Sequence, residues 1–121
     1  MKINELLREK AQELPERVAV YVPGTIDTNK ADPEAAAKMA GYTAEQLTKF
    51  FGGATSTDAA GYWMGDGAGL VVEDVKIIYS NATAEQIDEN AENLLDLAEF
   101  IKKEMSQDAV SLEISGKLYI I

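Results

Sequence analysis

Two extended runs joined by Gly65-Asp66-Gly67 constrain this chain more than any other feature. Ala54 to Trp63 is small and β-branched, and Leu70 to Tyr79 is dominated by Leu, Val and Ile. A turn this tight permits only an antiparallel hairpin. Helix signals stand on both sides of it. Upstream, Asp32-Pro33 supplies a capping carboxylate and a proline suited to the first helical position, predicting a short helix from Pro33 to Ala40 that ends at Gly41. Thr43-Ala44-Glu45-Gln46 reads as a capping box that reopens helix, with Leu47, Phe50 and Phe51 as its apolar anchor and Gly52-Gly53 as its end. Downstream, Thr83-Ala84-Glu85-Gln86 opens a helix to about Met105. Ile87, Ala91, Leu94, Ala98, Ile101 and Met105 form its apolar stripe, and Leu95 widens it.

The outer elements follow the same logic. Arg17 to Val22 places Val18, Val20 and Val22 on one face of a strand that Pro23-Gly24 ends, and residues 25–32 read as a loop. Val110, Leu112, Ile114, Gly116, Leu118 and Ile120 alternate with mostly polar residues, predicting one long final strand. Its apolar end calls for cover from the domain or from a neighbour. In the second run of the hairpin the apolar phase changes from Leu70/Val72 to Val75/Ile77/Tyr79, which predicts a bulge at Glu73-Asp74, or a strand apolar on both faces near its end. Ile3, Leu7, Ala11 and Leu14 predict an additional helix over residues 3–14, stopped by Pro15. The expected architecture is α+β and ferredoxin-like: a split βαβ order, βαββαβ, with a four-stranded antiparallel sheet, helices on one face, and an extra N-terminal helix. The reading is of one domain over residues 1–121, with residues 1–16 as the added helix and 17–121 as the ferredoxin-like unit.

The chain has no histidine and no cysteine. Thiolate nucleophiles, disulfides and cysteine zinc sites are excluded, and no side chain has an unperturbed pKa near neutrality. Carboxylates, Lys and Tyr remain for any catalysis. A net charge of −10 disfavours direct binding to nucleic acid or anionic membrane and suits a basic protein partner. Without an apolar leader or a span of ~20 apolar residues, the expectation is a cytoplasmic protein.

Candidate site residues gather on the hairpin. Thr55, Thr57, Asp58, Tyr62, Trp63, Asp66, Glu73 and Lys76 lie on or beside its two strands. Tyr62 and Trp63 could stack a ligand that Thr55, Asp58, Glu73 and Lys76 hold by hydrogen bonds and charge, although a tryptophan there equally suits a core or a dimer interface. Asp58 with Glu73 is the one carboxylate pair that hairpin geometry places on adjacent strands for acid/base work. Glu73 and Asp74 face opposite ways in an ideal strand, so they are not expected to share a site. No metal site and no cofactor is expected, because the glycine run matches neither an EF-hand, a P-loop nor a dinucleotide fingerprint. Asp88, Glu89, Glu92, Asp96 and Glu99 form an acidic helix face, which is either an ordinary solvated surface or a mimic of a phosphate row.

Phe51-Gly52-Gly53-Ala54-Thr55, Asp58-Ala59-Ala60-Gly61-Tyr62-Trp63, and Gly69 with Glu73 before Val75-Lys76-Ile77-Ile78 resemble a family of small uncharacterised bacterial proteins with a D-A-x-G-x-W hairpin signature. The resemblance spans roughly residues 17–121 and is specific only around the hairpin. The chain departs from it at Tyr62, where the family has glutamine, and by an insertion over Asp32–Gly41. It implies the fold and no activity.

These features together lead to the expectation of a small acidic, non-catalytic binding module, homodimeric, that recognises a protein or small ligand through the hairpin. The alternatives are an acidic inhibitor that blocks a basic nucleic-acid-binding protein, and a carboxylate-based enzyme built on Asp58 and Glu73.

Overall fold

In the computed structural model, residues 2–27, 30–67 and 69–121 are described. Thr28 and Asn29 of the expected loop and Ala68 of the expected hairpin turn lie outside them. The elements in order are α1 (Lys2–Lys10), β1 (Glu16–Pro23), β2 (Thr25–Ile26), β3 (Lys30–Ala31), α2 (Pro33–Phe51), β4 (Thr55–Gly65), β5 (Gly69–Ala82), α3 (Ala84–Glu89), α4 (Ala91–Glu104), β6 (Ser111–Ile114) and β7 (Lys117–Ile120). A five-stranded sheet has the order β4-β5-β1-β6-β7, and β2 and β3 form a separate two-stranded sheet. Every pairing is antiparallel.

This corrects the expected four-stranded ferredoxin-like sheet in two places. The final run is not one strand but a hairpin: Ser115 and Gly116 both take positive φ, 48° and 86°, as a two-residue primed turn requires. The turn inverts the alternation: Leu112 lies opposite Tyr119, Leu118 and Ile120 fall on the face of Glu113 and are exposed, and Val110 exchanges backbone hydrogen bonds with Ile121. The expected loop at 25–32 contributes the other two strands.

Three further expectations change. Gly41 does not break the first crossover helix; α2 is continuous for 19 residues. Its Asp32 cap accepts from the Ala35 N–H at 3.0 Å, and Gly52 closes it at φ 93°. Ala36, Met39, Ala40, Thr43, Leu47 and Phe51 form one buried stripe, which packs Thr43 inward and denies it a capping role. The second long helix, by contrast, is split at Asn90. That residue leaves helical geometry (φ −107°), and its side-chain amide donates to the Gln86 carbonyl at 2.9 Å. The break turns the buried face of α4 to Leu94, Leu97, Ala98 and Ile101, leaving Ala91 and Leu95 exposed. The Thr83–Gln86 capping box is present. Finally, β5 has no bulge: its pairing with β4 keeps one register from Thr55↔Tyr79 to Gly65↔Gly69.

The core lies between α2, α4 and one face of the sheet. Val18, Val20, Val22, Ile78 and Leu112 meet Leu47, Phe51, Leu94, Ile101 and Met105. α1 has no buried residue and ends at Lys10, short of the expected Leu14. Among the described residues no helix is long and apolar enough to cross a membrane.

The sheet is not covered along its whole length. β1 pairs with β5 only over Val75–Ala82, so Gly69–Asp74 and the facing Ala60–Gly65 continue as a two-stranded ribbon. Apolar residues there are apolar without being buried, and this is why the phase of β5 seemed to switch.

Candidate active-site cleft

The cleft forms where β5 outruns β1. After Pro23, opposite Val75, the chain turns at Gly24 and passes over the backbone of β5. A Cβ on Gly24 would run into the carbonyl oxygen of Asp74, so only glycine allows this approach. The turn, the first residues of α2 and the root of the ribbon enclose a cleft of about 480 Å³. That volume lies within the range that holds a nucleoside-sized ligand.

Four charged residues line it: Asp58, Glu73, Asp74 and Lys76. Asp58 and Lys76 are register partners on β4 and β5, and the ammonium donates to the carboxylate at 2.7 Å. Asp58 is largely exposed and Lys76 about one-third so, which makes this pair the rim of the cleft. Glu73 is half-buried, and the Thr25 hydroxyl donates to it at 2.5 Å. Thr25 is itself held by Gln107, whose amide donates to the Thr25 carbonyl at 2.8 Å and to the Met105 carbonyl at 2.9 Å. A relay therefore runs from the end of α4 through Gln107 and Thr25 to one carboxylate. Apolar walls come from Val72, Val75, Pro33 and Ala36.

Of the residues expected from sequence, Asp58, Glu73 and Lys76 are brought together here. Thr55 lies elsewhere, beside Gly53 and Tyr79. Tyr62 and Trp63 do not line the cleft; they sit exposed on the ribbon. Glu73 and Asp74, expected to part, both line it, because no strand occupies the β1 side of β5 beyond Val75 and the cleft reaches round that edge. Gly24, Thr25 and Gln107 carry no signal in the sequence, since their roles depend on a contact across the fold. Among the described residues no group of three acidic side chains is placed to hold a metal ion.

The open face of the sheet carries a second polar cluster. Arg17 stacks over the Tyr79 ring at 3.7 Å, and Tyr21 donates its hydroxyl to Glu113 at 3.1 Å. Burial and the bond to Glu113 raise the Tyr21 pKa above its ordinary value. The acidic residues Asp88, Glu89, Glu92, Asp96 and Glu99 are all exposed, but the break at Asn90 divides them between two helices, so they do not form one continuous ridge.

No protein-family profile and no curated protein matches the sequence. Solved structures do match. A phage SAM lyase in complex with S-methyl-5'-thioadenosine superposes with a TM-score of 0.62 at 16% identity, over 91% of this chain and 91% of that one. A phage SAM lyase in its apo state gives 0.61 at 17% identity, over 88% and 87%. At that identity the likeness establishes the fold. It also corrects the expectation of a non-catalytic binding module or inhibitor, in which catalysis was disfavoured: the chain adopts the fold of an enzyme, and its hairpin root forms a carboxylate-lined cleft instead of a flat recognition surface.

Proposed function

We propose that the chain is a carboxylate-based lyase acting on a sulfonium nucleoside of the S-adenosylmethionine class, with Glu73 as the principal carboxylate. The observation that carries this reading is the fold shared, over 91% of the chain, with a phage lyase whose structure holds S-methyl-5'-thioadenosine. The cleft around Glu73 supports it.

The chemistry suits a chain without imidazole or thiol. Sulfur in such a substrate bears a positive charge. When its bond to the amino-acid side chain breaks, the electron pair stays on sulfur and a neutral thioether leaves, so no general acid is needed. The substrate's own carboxylate can close on the carbon released, which needs no enzyme base either. The protein then has only to bind and orient. A carboxylate pressed against sulfur would stabilise the ground state more than the transition state, because that charge is already diminishing as the bond breaks. Glu73 and Asp74 are better used on the substrate's ammonium group, holding the four-carbon chain bent so that its carboxylate reaches the reacting carbon from the side opposite sulfur. Asp58, already neutralised by Lys76, shapes the rim.

The test is incubation of the purified chain with S-adenosylmethionine and chromatographic detection of S-methyl-5'-thioadenosine. Product should form well above the spontaneous rate, and Glu73→Gln should slow it by about a hundredfold with the circular dichroism unchanged. Product no faster than the blank would end this reading.

A further inference from the structure

The two long helices bury their inner stripes on the sheet, but their outer flanks do not close on each other. Between them runs a groove of about 310 Å³, walled by Tyr42 and Phe50 from α2 and by Asn93, Asp96 and Phe100 from α4, over the buried Leu97. Tyr42 meets Phe100 at one end, with ring centroids 5.0 Å apart. At the other end the Asn90 amide donates to the Phe50 carbonyl at 3.4 Å, so the helices run antiparallel. The span from Tyr42 to Phe50 is about 12 Å, or two helical turns. Both rings at its mouth stay 39% exposed. Aromatic anchors beside a shallow apolar groove are what an amphipathic helix needs in order to dock.

We propose that this groove is the docking site for a basic amphipathic helix of a partner protein. Charge selects that occupant. Glu92, Asp96 and Glu99 follow one another at i, i+4 and i+7 on the exposed side of α4, and none forms a salt bridge among the described residues. On the α2 rim, Lys49 is taken up by Glu45 at 3.4 Å. Lys38 and Lys103 stand about one turn beyond the Tyr42–Phe100 end, so the middle of the groove is acidic along α4. A partner helix would set an apolar stripe against Tyr42, Phe50 and Phe100 and turn its Lys or Arg residues toward Asp96 and its neighbours. A second copy fits poorly: the chain has a net charge of −10, and its one helix without buried residues, α1, mixes Glu5 and Glu9 with Lys2 and Arg8. The same charge opposes nucleic acid. The cleft is walled by the first turn of α2, at Pro33 and Ala36, so docking does not depend on what the cleft binds.

The probe is a fluorescent synthetic helix of about four turns, with leucine on one stripe and lysine elsewhere, titrated with the full chain by anisotropy. Binding should saturate and weaken as salt rises. The same residues in an order that destroys the stripe, and a leucine–glutamate helix, should each bind at least about tenfold more weakly. Tyr42→Ser combined with Phe100→Ser should lower affinity by at least about tenfold. Asp96→Lys leaves both rings in place and should lower it by about fivefold, which decides the matter if the double variant does not fold. Leu95→Ser, at an exposed apolar residue outside the groove, should leave affinity unchanged. No binding, equal binding of either control peptide, full affinity in D96K, or an equal loss in L95S would each overturn the proposal. So would groove amides that gain hydrogen-exchange protection from chain concentration alone, which would make a second copy the occupant.

Discussion

The two halves of β5 belong to the same strand and live in different worlds. Val75–Ala82 pairs with β1 throughout and with β4 as far as Tyr79, under the helices, and Ile78 and Ala82 are fully buried. Gly69–Asp74 has β4 alone for a neighbour and leaves Leu70 and Val72 in water. Apolar content barely differs between them; the number of layers does. The cleft sits at their border, where β5 has lost one neighbour but is still anchored by the other. Stability is concentrated in one half, and the surface available for chemistry is in the other.

The contrast can be broken most severely in the covered half. Leu47→Ala, at a position with no exposed surface, should cost about 2–5 kcal/mol of stability by chemical denaturation, whereas Met64→Ala on the ribbon should stay within about 0.5 kcal/mol in the monomer. Similar losses at both sites would mean that the ribbon is structural in the isolated chain. At the border, Gly24→Ala should cost about 1–3 kcal/mol, because its Cβ must displace the Asp74 carbonyl, and should depress turnover beyond what the stability change explains. A variant as stable and active as the original would show that the turn does not position β5. Next in size, Thr25→Val removes the hydroxyl that holds Glu73 and should lower the rate of product formation by about tenfold, through one lost hydrogen bond to a charged group, with little change in melting temperature. Gln107→Ala acts one step further back and should give a smaller loss in the same direction.

The smallest effect lies on the open face. Tyr21 holds its proton more tightly folded than unfolded, so its contribution to stability is fully present below the ordinary tyrosine value near 10 and is progressively lost above it. In the folded chain the native state therefore binds more protons than the unfolded one above that pH, and stability falls as pH rises through the folded pKa. Denaturation curves of Tyr21→Phe should lose that part of the alkaline decline, while the two chains differ little in slope at neutral pH.

Much of the local structure was legible because it is written in short-range chemistry. Asp32, Thr83 and Gly52 cap where their side chains and permissive backbones indicate, and the Gly65-Asp66-Gly67 turn does join two long strands. The parity of β1 placed Val18, Val20 and Val22 in the core. Asp58, Glu73 and Lys76 were recoverable too, since hairpin register alone brings their strands together. Misreadings arose where local signals are ambiguous. Gly41 weakens a helix but does not end one that gains a buried stripe on both sides. Alternation from Val110 to Ile120 reads as one strand, but the two-residue turn at Ser115-Gly116 inverts parity, so Leu118 and Ile120 leave the face of Leu112, and the apolar Tyr119 and Ile121 take their place on it.

By itself, then, the amino-acid order determined the caps, the turns, the periodicities and a chemistry limited to carboxylates, amines and phenols, since each of these is a property of neighbouring residues. Only the tertiary structure decided that β1 stops at Pro23 while β5 continues, that Gly24 and Thr25 fold back over Asp74 and Glu73, and that Tyr62 and Trp63 stay outside the cleft they share a hairpin with. Those outcomes depend on which strand lies beside which and for how long, a matter of packing between segments up to 82 residues apart that no local pattern encodes.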